Sequence, residues 1–109
     1  MKTRIIRIKK RKVVRPPTIA QFARAHDLTM IVRERDRQKG DPCRFYAAFE
    51  YAEVAQGALL VGVYGDGPTP AKAIRAYANK LSKLACGKLI IKAYSPERQE
   101  IEIPKLTVK

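Results

Sequence analysis

Val61-Gly62-Val63-Tyr64-Gly65-Asp66-Gly67-Pro68-Thr69-Pro70-Ala71-Lys72-Ala73-Ile74-Arg75-Ala76-Tyr77-Ala78 reads as a strand that stops at a glycine turn and restarts as a helix. Val61 and Val63 are β-branched and alternate along the chain. Gly65 and Gly67 permit the positive φ angles that a sharp turn needs. Thr69 sits at the N-cap position, where its hydroxyl accepts from a free amide of the first turn. Pro70 follows at the first helical position, where a missing N–H costs nothing. Ala71, Ile74, Ala78, Leu81 and Ala85 then recur at spacings of three and four, with Tyr77 and Leu84 beside them, which predicts a helix with one apolar stripe. Lys72 stands where a capping box needs Glu or Gln, so that reciprocal bond is absent. Gly87 is the expected C-cap of the helix.

Upstream, the pattern changes to alternation. Leu28, Met30 and Val32 point one way, and Ile31, Arg33, Arg35 and Arg37 the other, as strand side chains do. Gln38-Lys39-Gly40-Asp41-Pro42 is a turn. Arg44 to Val54 reads as a second strand, with Phe45, Ala47, Phe49 and Tyr51 on one face and Arg44, Tyr46, Ala48 and Glu50 on the other. Paired as a hairpin, the two runs place Arg33, Arg35, Arg37, Arg44 and Tyr46 on one side of a sheet. Such a face neutralises and stacks on a nucleic acid strand; the same pattern also describes a solvated face offset by Glu34, Asp36 and Glu50. Gln56-Gly57 makes the next turn, and Ala58 to Tyr64 is a third strand.

Before these, Thr18 to His26 reads as a short helix, capped by Thr18, with Ile19, Phe22 and Ala23 on one face. A helix-turn-helix would need a second helix next, but Thr29-Met30-Ile31-Val32 are strand formers. After the second helix, Lys88 to Tyr94 is a strand, Ser95-Pro96 turns the chain, and Glu100-Ile101-Glu102-Ile103 is one short strand more. The expected class is α+β: helix, three-stranded antiparallel meander, helix, short fourth strand.

At 109 residues the chain fits one small domain, and 46% apolar residues are enough for a core without staples. Cys43 and Cys86 are too few for a disulfide framework or a four-ligand zinc site. No apolar run approaches a membrane span, and the basic N-terminus lacks the apolar region of a signal peptide, so a cytoplasmic setting without membrane attachment is expected.

Charge is the outlying property, with 23 Lys and Arg against 10 Asp and Glu, a net +13. It predicts polyanion partners: nucleic acid first, an acidic protein or anionic membrane second. Lys2, Arg4, Arg7, Lys9, Lys10, Arg11, Lys12 and Arg15 precede the first acid, Asp27, and carry +8 of this total. Residues 1–17 therefore form a basic arm, ended by Pro16-Pro17, before an α+β domain over 18–94 and a C-terminal extension over 95–109. The arm reads as a phosphate-docking segment. Its interleaved Ile5, Ile6, Ile8, Val13 and Val14 also fit a lysine-protected edge strand, and its charge a solubilising tail. Lys9-Lys10-Arg11-Lys12 also fits a nuclear-import tetrapeptide. Lys72 and Arg75 lie off the apolar stripe of the second helix and join the candidate phosphate contacts.

Catalytic chemistry is thin. His26 is the lone histidine, so no Ser-His-Asp set assembles with confidence. The acids form no metal-ligand pattern. Gly65-x-Gly67 precedes a helix N-terminus, yet lacks the third glycine of the dinucleotide fingerprint and the Gly-Lys-Ser/Thr of a phosphate loop. No enzyme, cofactor or metal is expected.

Residues 18–85 resemble the double-stranded RNA-binding domain in their order of helix, three strands and helix. Asp41-Pro42-Cys43-Arg44-Phe45 is similar to that family's turn into its second strand, and Gly65-Asp66-Gly67-Pro68-Thr69 to the approach to its second helix. The lysines with which the family clamps phosphates are replaced here by Pro70, Ala71 and Ile74, and its turn histidine by Cys43. The resemblance therefore implies a shared shape without those contacts. Gly67-Pro68-Thr69-Pro70-Ala71-Lys72-Ala73 also resembles the turn-helix motif of HicB-type antitoxins, whose typical members are acidic. Over the whole chain, the basic start, Arg15-Pro16-Pro17-Thr18-Ile19, the glycine junction with Tyr77-Ala78, and Ser95-Pro96-Glu97-Arg98 look like small tailed-phage and prophage proteins. That likeness implies a prokaryotic cytosol and brings no site residues. The combined expectation is a non-enzymatic nucleic-acid-binding protein with mainly phosphate contacts. The alternative is a module for an acidic protein partner, with a homodimer open.

Overall fold

A computed structural model describes residues 16–108. The chain is α+β, with element order α1 (Ile19–Ala25), β1 (Met30–Glu34), β2 (Phe45–Phe49), β3 (Ala52–Gln56), β4 (Leu59–Val61), β5 (Gly65–Gly67), α2 (Pro70–Lys83), β6 (Lys88–Ile91) and β7 (Gln99–Glu102). The strands form two antiparallel sheets, ordered β1-β2-β5 and β4-β3-β6-β7.

The run expected as one strand from Arg44 to Val54 is two strands, and this break separates the sheets. Tyr51 adopts a left-handed φ of 60°, and the Glu50 amide is taken by the Thr29 carbonyl at 2.8 Å. The bulge reverses the alternation. Ala47 and Phe49 are buried before it and Val54 after it, while Tyr51, expected on the same face as Ala47 and Phe49, is exposed. The partner strand breaks to match. Ala47 faces Gly65 and Val54 faces Val61, so β4 and β5 are separated by the unpaired residues 62–64.

The glycine junction is also different from its reading. Gly65 and Gly67 are not a turn: they lie in β5, paired to Ala47 and Phe45, and neither has a positive φ. Their role is close approach. A Cβ on Gly65 would sit 2.5 Å from the Ala73 carbonyl oxygen, and one on Gly67 2.5 Å from the Ala73 nitrogen. The backbone of α2 therefore rests directly on β5, which only glycine permits. Downstream, the caps are as read. Thr69 Oγ1 accepts from the Lys72 amide at 3.2 Å, and Pro70 opens the helix.

The buried stripe of α2 is Ala73, Tyr77, Ala78 and Leu81; Ala71 is exposed and Ile74 only half-buried. The helix ends at Lys83, before the predicted glycine cap, and the left-handed residue beyond it is Cys86 (φ 75°) rather than Gly87. Tyr77 fills the gap left where the sheets part. In the β2–β5 register the Phe49 amide would face residue 63, which is unpaired, and the Tyr77 hydroxyl oxygen accepts from it at 3.2 Å. The two rings pack edge to face, 5.4 Å apart. Burial pushes the Tyr77 hydroxyl pKa up to about 12, an effect the Phe49 amide only partly opposes.

α1 is short but doubly capped. Thr18 accepts from the Gln21 amide, and the Gln21 side chain accepts from the Thr18 amide, both at 3.0 Å. The C-terminal segment is built into the core. Strand β7 pairs with β6, and Ile101, Ile103 and Leu106 are buried. Ser82 Oγ both donates to and accepts from the Leu106 backbone, at 3.0 and 2.7 Å. Thr107 pairs beside Thr18, bringing residue 17 next to residue 107.

Candidate nucleic-acid interface

In the sheet β1-β2-β5, residues Val32, Ala47 and Gly65 face inward toward α2. The alternate row, Arg33–Tyr46–Asp66, crosses all three strands on the outer face, with Ile31 opposite Ala48 beside it. Arg35, one residue beyond β1, follows the parity of Arg33 and reaches across this face. Its Nη1 donates to Asp66 Oδ1 at 2.6 Å and to the Cys43 carbonyl at 2.7 Å. Its guanidinium lies 4.5 Å from the Tyr46 ring centroid and 5.7 Å from that of Tyr64. The hydrogen bond to Asp66 raises the Arg35 pKa further, so the guanidinium stays charged.

The predicted five-residue cluster is therefore only partly assembled. Arg33, Arg35 and Tyr46 share the outer face. Arg44 does not join them: its Nε and Nη2 both donate to Glu34 Oε2, at 2.9 and 2.6 Å, and its guanidinium lies over the Phe45 ring. Phe45 and Glu34 are cross-strand partners on the opposite parity, and this carboxylate draws Arg44 to their side. Arg37 belongs to the turn, 3.7 Å from Asp41. Arg33 is exposed and makes no ion pair with a described residue.

α2 supplies a second cationic surface. Lys72, Arg75, Asn79 and Lys83 fall on the side of the helix away from Tyr77, Ala78 and Leu81, Lys80 flanks the buried stripe two turns beyond Ala73, and all five are exposed. The helix contains no acid. None of its four cations forms an ion pair with a described residue. Over Lys72 to Lys83 the row is about 17 Å long at 1.5 Å per residue.

The helix row and the sheet face meet at Tyr64, in the break between β4 and β5. The Lys80 ammonium lies 5.3 Å from the Tyr64 ring centroid, and the Tyr46 ring approaches its edge at 5.9 Å. Tyr64 is 44% exposed. Sequence reading placed Lys72 and Arg75 among the candidates but took Tyr64 only as a strand end and did not include Lys80. The usable signal was parity: Tyr64 is two residues before Asp66, hence on the face of Tyr46.

The basic-arm candidates Arg4, Arg7, Lys9, Lys10, Arg11, Lys12 and Arg15 lie outside the described residues. His26 is exposed and its ring packs at a tilt against Phe22, centroids 4.8 Å apart. Both cysteines are free thiols. Gly65 and Gly67 are covered by α2 and paired in β5, so they form no phosphate cradle. Among the described residues no group of three or more His, Cys, Asp or Glu is placed to hold a metal ion, and no helix is long and apolar enough to cross a membrane. No family model matches the chain, and no curated protein or solved structure matches it either.

Proposed function

We propose that this chain binds nucleic acid without catalysis, mainly through phosphates. The observation that carries this reading is the exposed surface of α2: four cations, no acid, and no ion pair with a described residue. Exposed lysines on one helix are ordinarily solvation. Here the cations continue through Lys80 and Tyr64 onto a sheet face with a further cation, Arg33, that pairs with no described acid. Arg35 is assigned a different task from the free cations. It neutralises Asp66, which would otherwise repel phosphates, and holds Tyr46 flat beneath its guanidinium. Residues 1–15 add a second basic element to the same reading.

Phosphate contacts carry little base information, so binding is weakly specific and salt-sensitive. On duplex DNA, log K falls by roughly 0.9 per log unit of salt for each phosphate neutralised. A filter-binding or anisotropy series with the full chain and with residues 1–15 removed tests the folded part. Retained, salt-dependent binding by the shortened chain is expected; complete loss assigns binding to the arm and leaves α2 without this role.

A protein partner is the second reading, and one feature favours it. Tyr51 and Tyr94, 65% and 90% exposed, line an open groove of about 560 Å³ with Glu53, Lys92, Ala93 and Ser95. Exposed aromatics gathered at one site are characteristic of docking surfaces.

A further inference from the structure

We infer that the outer face of the β1-β2-β5 sheet is a single-strand site, at which an unpaired base stacks on Tyr64 while Arg33 and Lys80 take flanking phosphates. The inference rests on the nucleic-acid reading above and adds the form of the polymer.

A duplex presents phosphates on its outside and keeps its bases stacked within, so cations alone serve it. Aromatic side chains set among cations gain something more only when a base is free to leave its stack. That is the arrangement here. Both helices pack on the inner side of the sheets, where Phe49 meets Phe22 and Tyr77. The outer row Arg33–Tyr46–Asp66 has opposite parity and carries neither of the described helices. Tyr46 is half-buried and pinned by Arg35, a rigid floor. Tyr64, beside it, keeps 44% of its surface open. It stands between Arg35 and Lys80, at 5.7 and 5.3 Å from their charges. Lys80 has no carboxylate partner among the described residues, so its ammonium leaves the ring for a phosphate without breaking an ion pair. The acid within that row, Asp66, is already held by Arg35.

The chain has five tyrosines and no tryptophan, so tyrosine emission reports stacking directly. The full chain, Tyr64→Leu and Tyr64→Phe are titrated with oligothymidylate and with a duplex of equal phosphate count, after thermal melts of each variant. Oligothymidylate quenches the emission of the unsubstituted chain. Tyr64→Leu weakens oligothymidylate binding by at least about fivefold, the low end of one lost stacked base. Tyr64→Phe restores it, and duplex affinity changes by less than about twofold. Equal losses for both polymers, or none for oligothymidylate while the duplex still binds, overturns the single-strand site and leaves the nucleic-acid reading standing. Failure to bind either polymer overturns both. If Tyr64→Leu does not fold, the unsubstituted chain decides: emission unmoved at saturating oligothymidylate is incompatible with stacking.

Discussion

Replacing Gly65 with alanine adds one methyl group where the backbone of α2 lies directly on β5. The new Cβ would lie 2.5 Å from the Ala73 carbonyl oxygen and against the backbone of Ala76 and Tyr77. None of these atoms belongs to a side chain that can swing aside. α2 must therefore retreat by about 1 Å to restore ordinary contact, and a gap of that size forfeits up to half of each dispersion well across it. The contacts loosened are those of Ala73, Tyr77, Ala78 and Leu81, all essentially inaccessible. Overpacking of this kind costs about 3 kcal/mol. For a domain of this size that is a fall in Tm of at least about 12 °C. Gly62→Ala is the control, since nothing lies within 4 Å of its Cβ position and its φ is not positive. Its effect stays within about 1 kcal/mol, toward higher stability through a stiffer unfolded chain. Both are read by circular-dichroism melts and urea unfolding. A Gly65→Ala protein melting within about 2 °C of the unsubstituted chain would refute the close-approach account of this junction.

Tyr77 makes the fold sensitive to alkali. Its hydroxyl ionises at about 12 in the folded chain and near the ordinary 10 in the unfolded one. Its contribution is complete below pH 10 and is lost as pH rises from 10 to 12, amounting to about 3 kcal/mol. Urea unfolding at stepped pH should show this loss, and Tyr77→Phe should abolish it. At neutral pH that variant pays about 1–3 kcal/mol for the unpartnered Phe49 amide. Thr69→Ala removes the acceptor for the Lys72 amide and should lower stability by about 1 kcal/mol; no change in the urea midpoint would mean that water replaces the cap at no cost.

Much of this architecture was legible because it rests on local chemistry. The threonine caps, Pro70, the helix–strand order and the inward parity of Ala47 and Phe49 all follow from single residues or short spacings. What could not be read depended on partners distant in sequence. Gly65 and Gly67 have the composition of a turn, and only the presence of Ala73 and Tyr77 above them makes them strand residues. Tyr51 has a strand former's side chain, yet the sheet divides there and its backbone turns left-handed. The α2 stripe was shifted because Ala71 is small enough to look like core, while Ala73 is the residue that β5 requires. At the candidate site, the side of Arg33 and Tyr46 followed from alternation. The diversion of Arg44 to Glu34 did not, because a charge pair across a hairpin depends on its register. Tyr64 was hidden for the same reason: its parity is legible only once β5 is known to continue through Gly65.

The most direct measurement is the salt dependence of nucleic acid binding by the full chain beside a Lys72→Gln, Arg75→Gln, Lys83→Gln variant. None of these three side chains touches an acid among the described residues, so the fold should be unaffected. The account predicts weaker binding in the variant and a slope of log K against log salt shallower by roughly 2–3 on duplex DNA. Identical slopes and affinities for the two proteins would contradict it and leave the outer face of α2 a solvated surface.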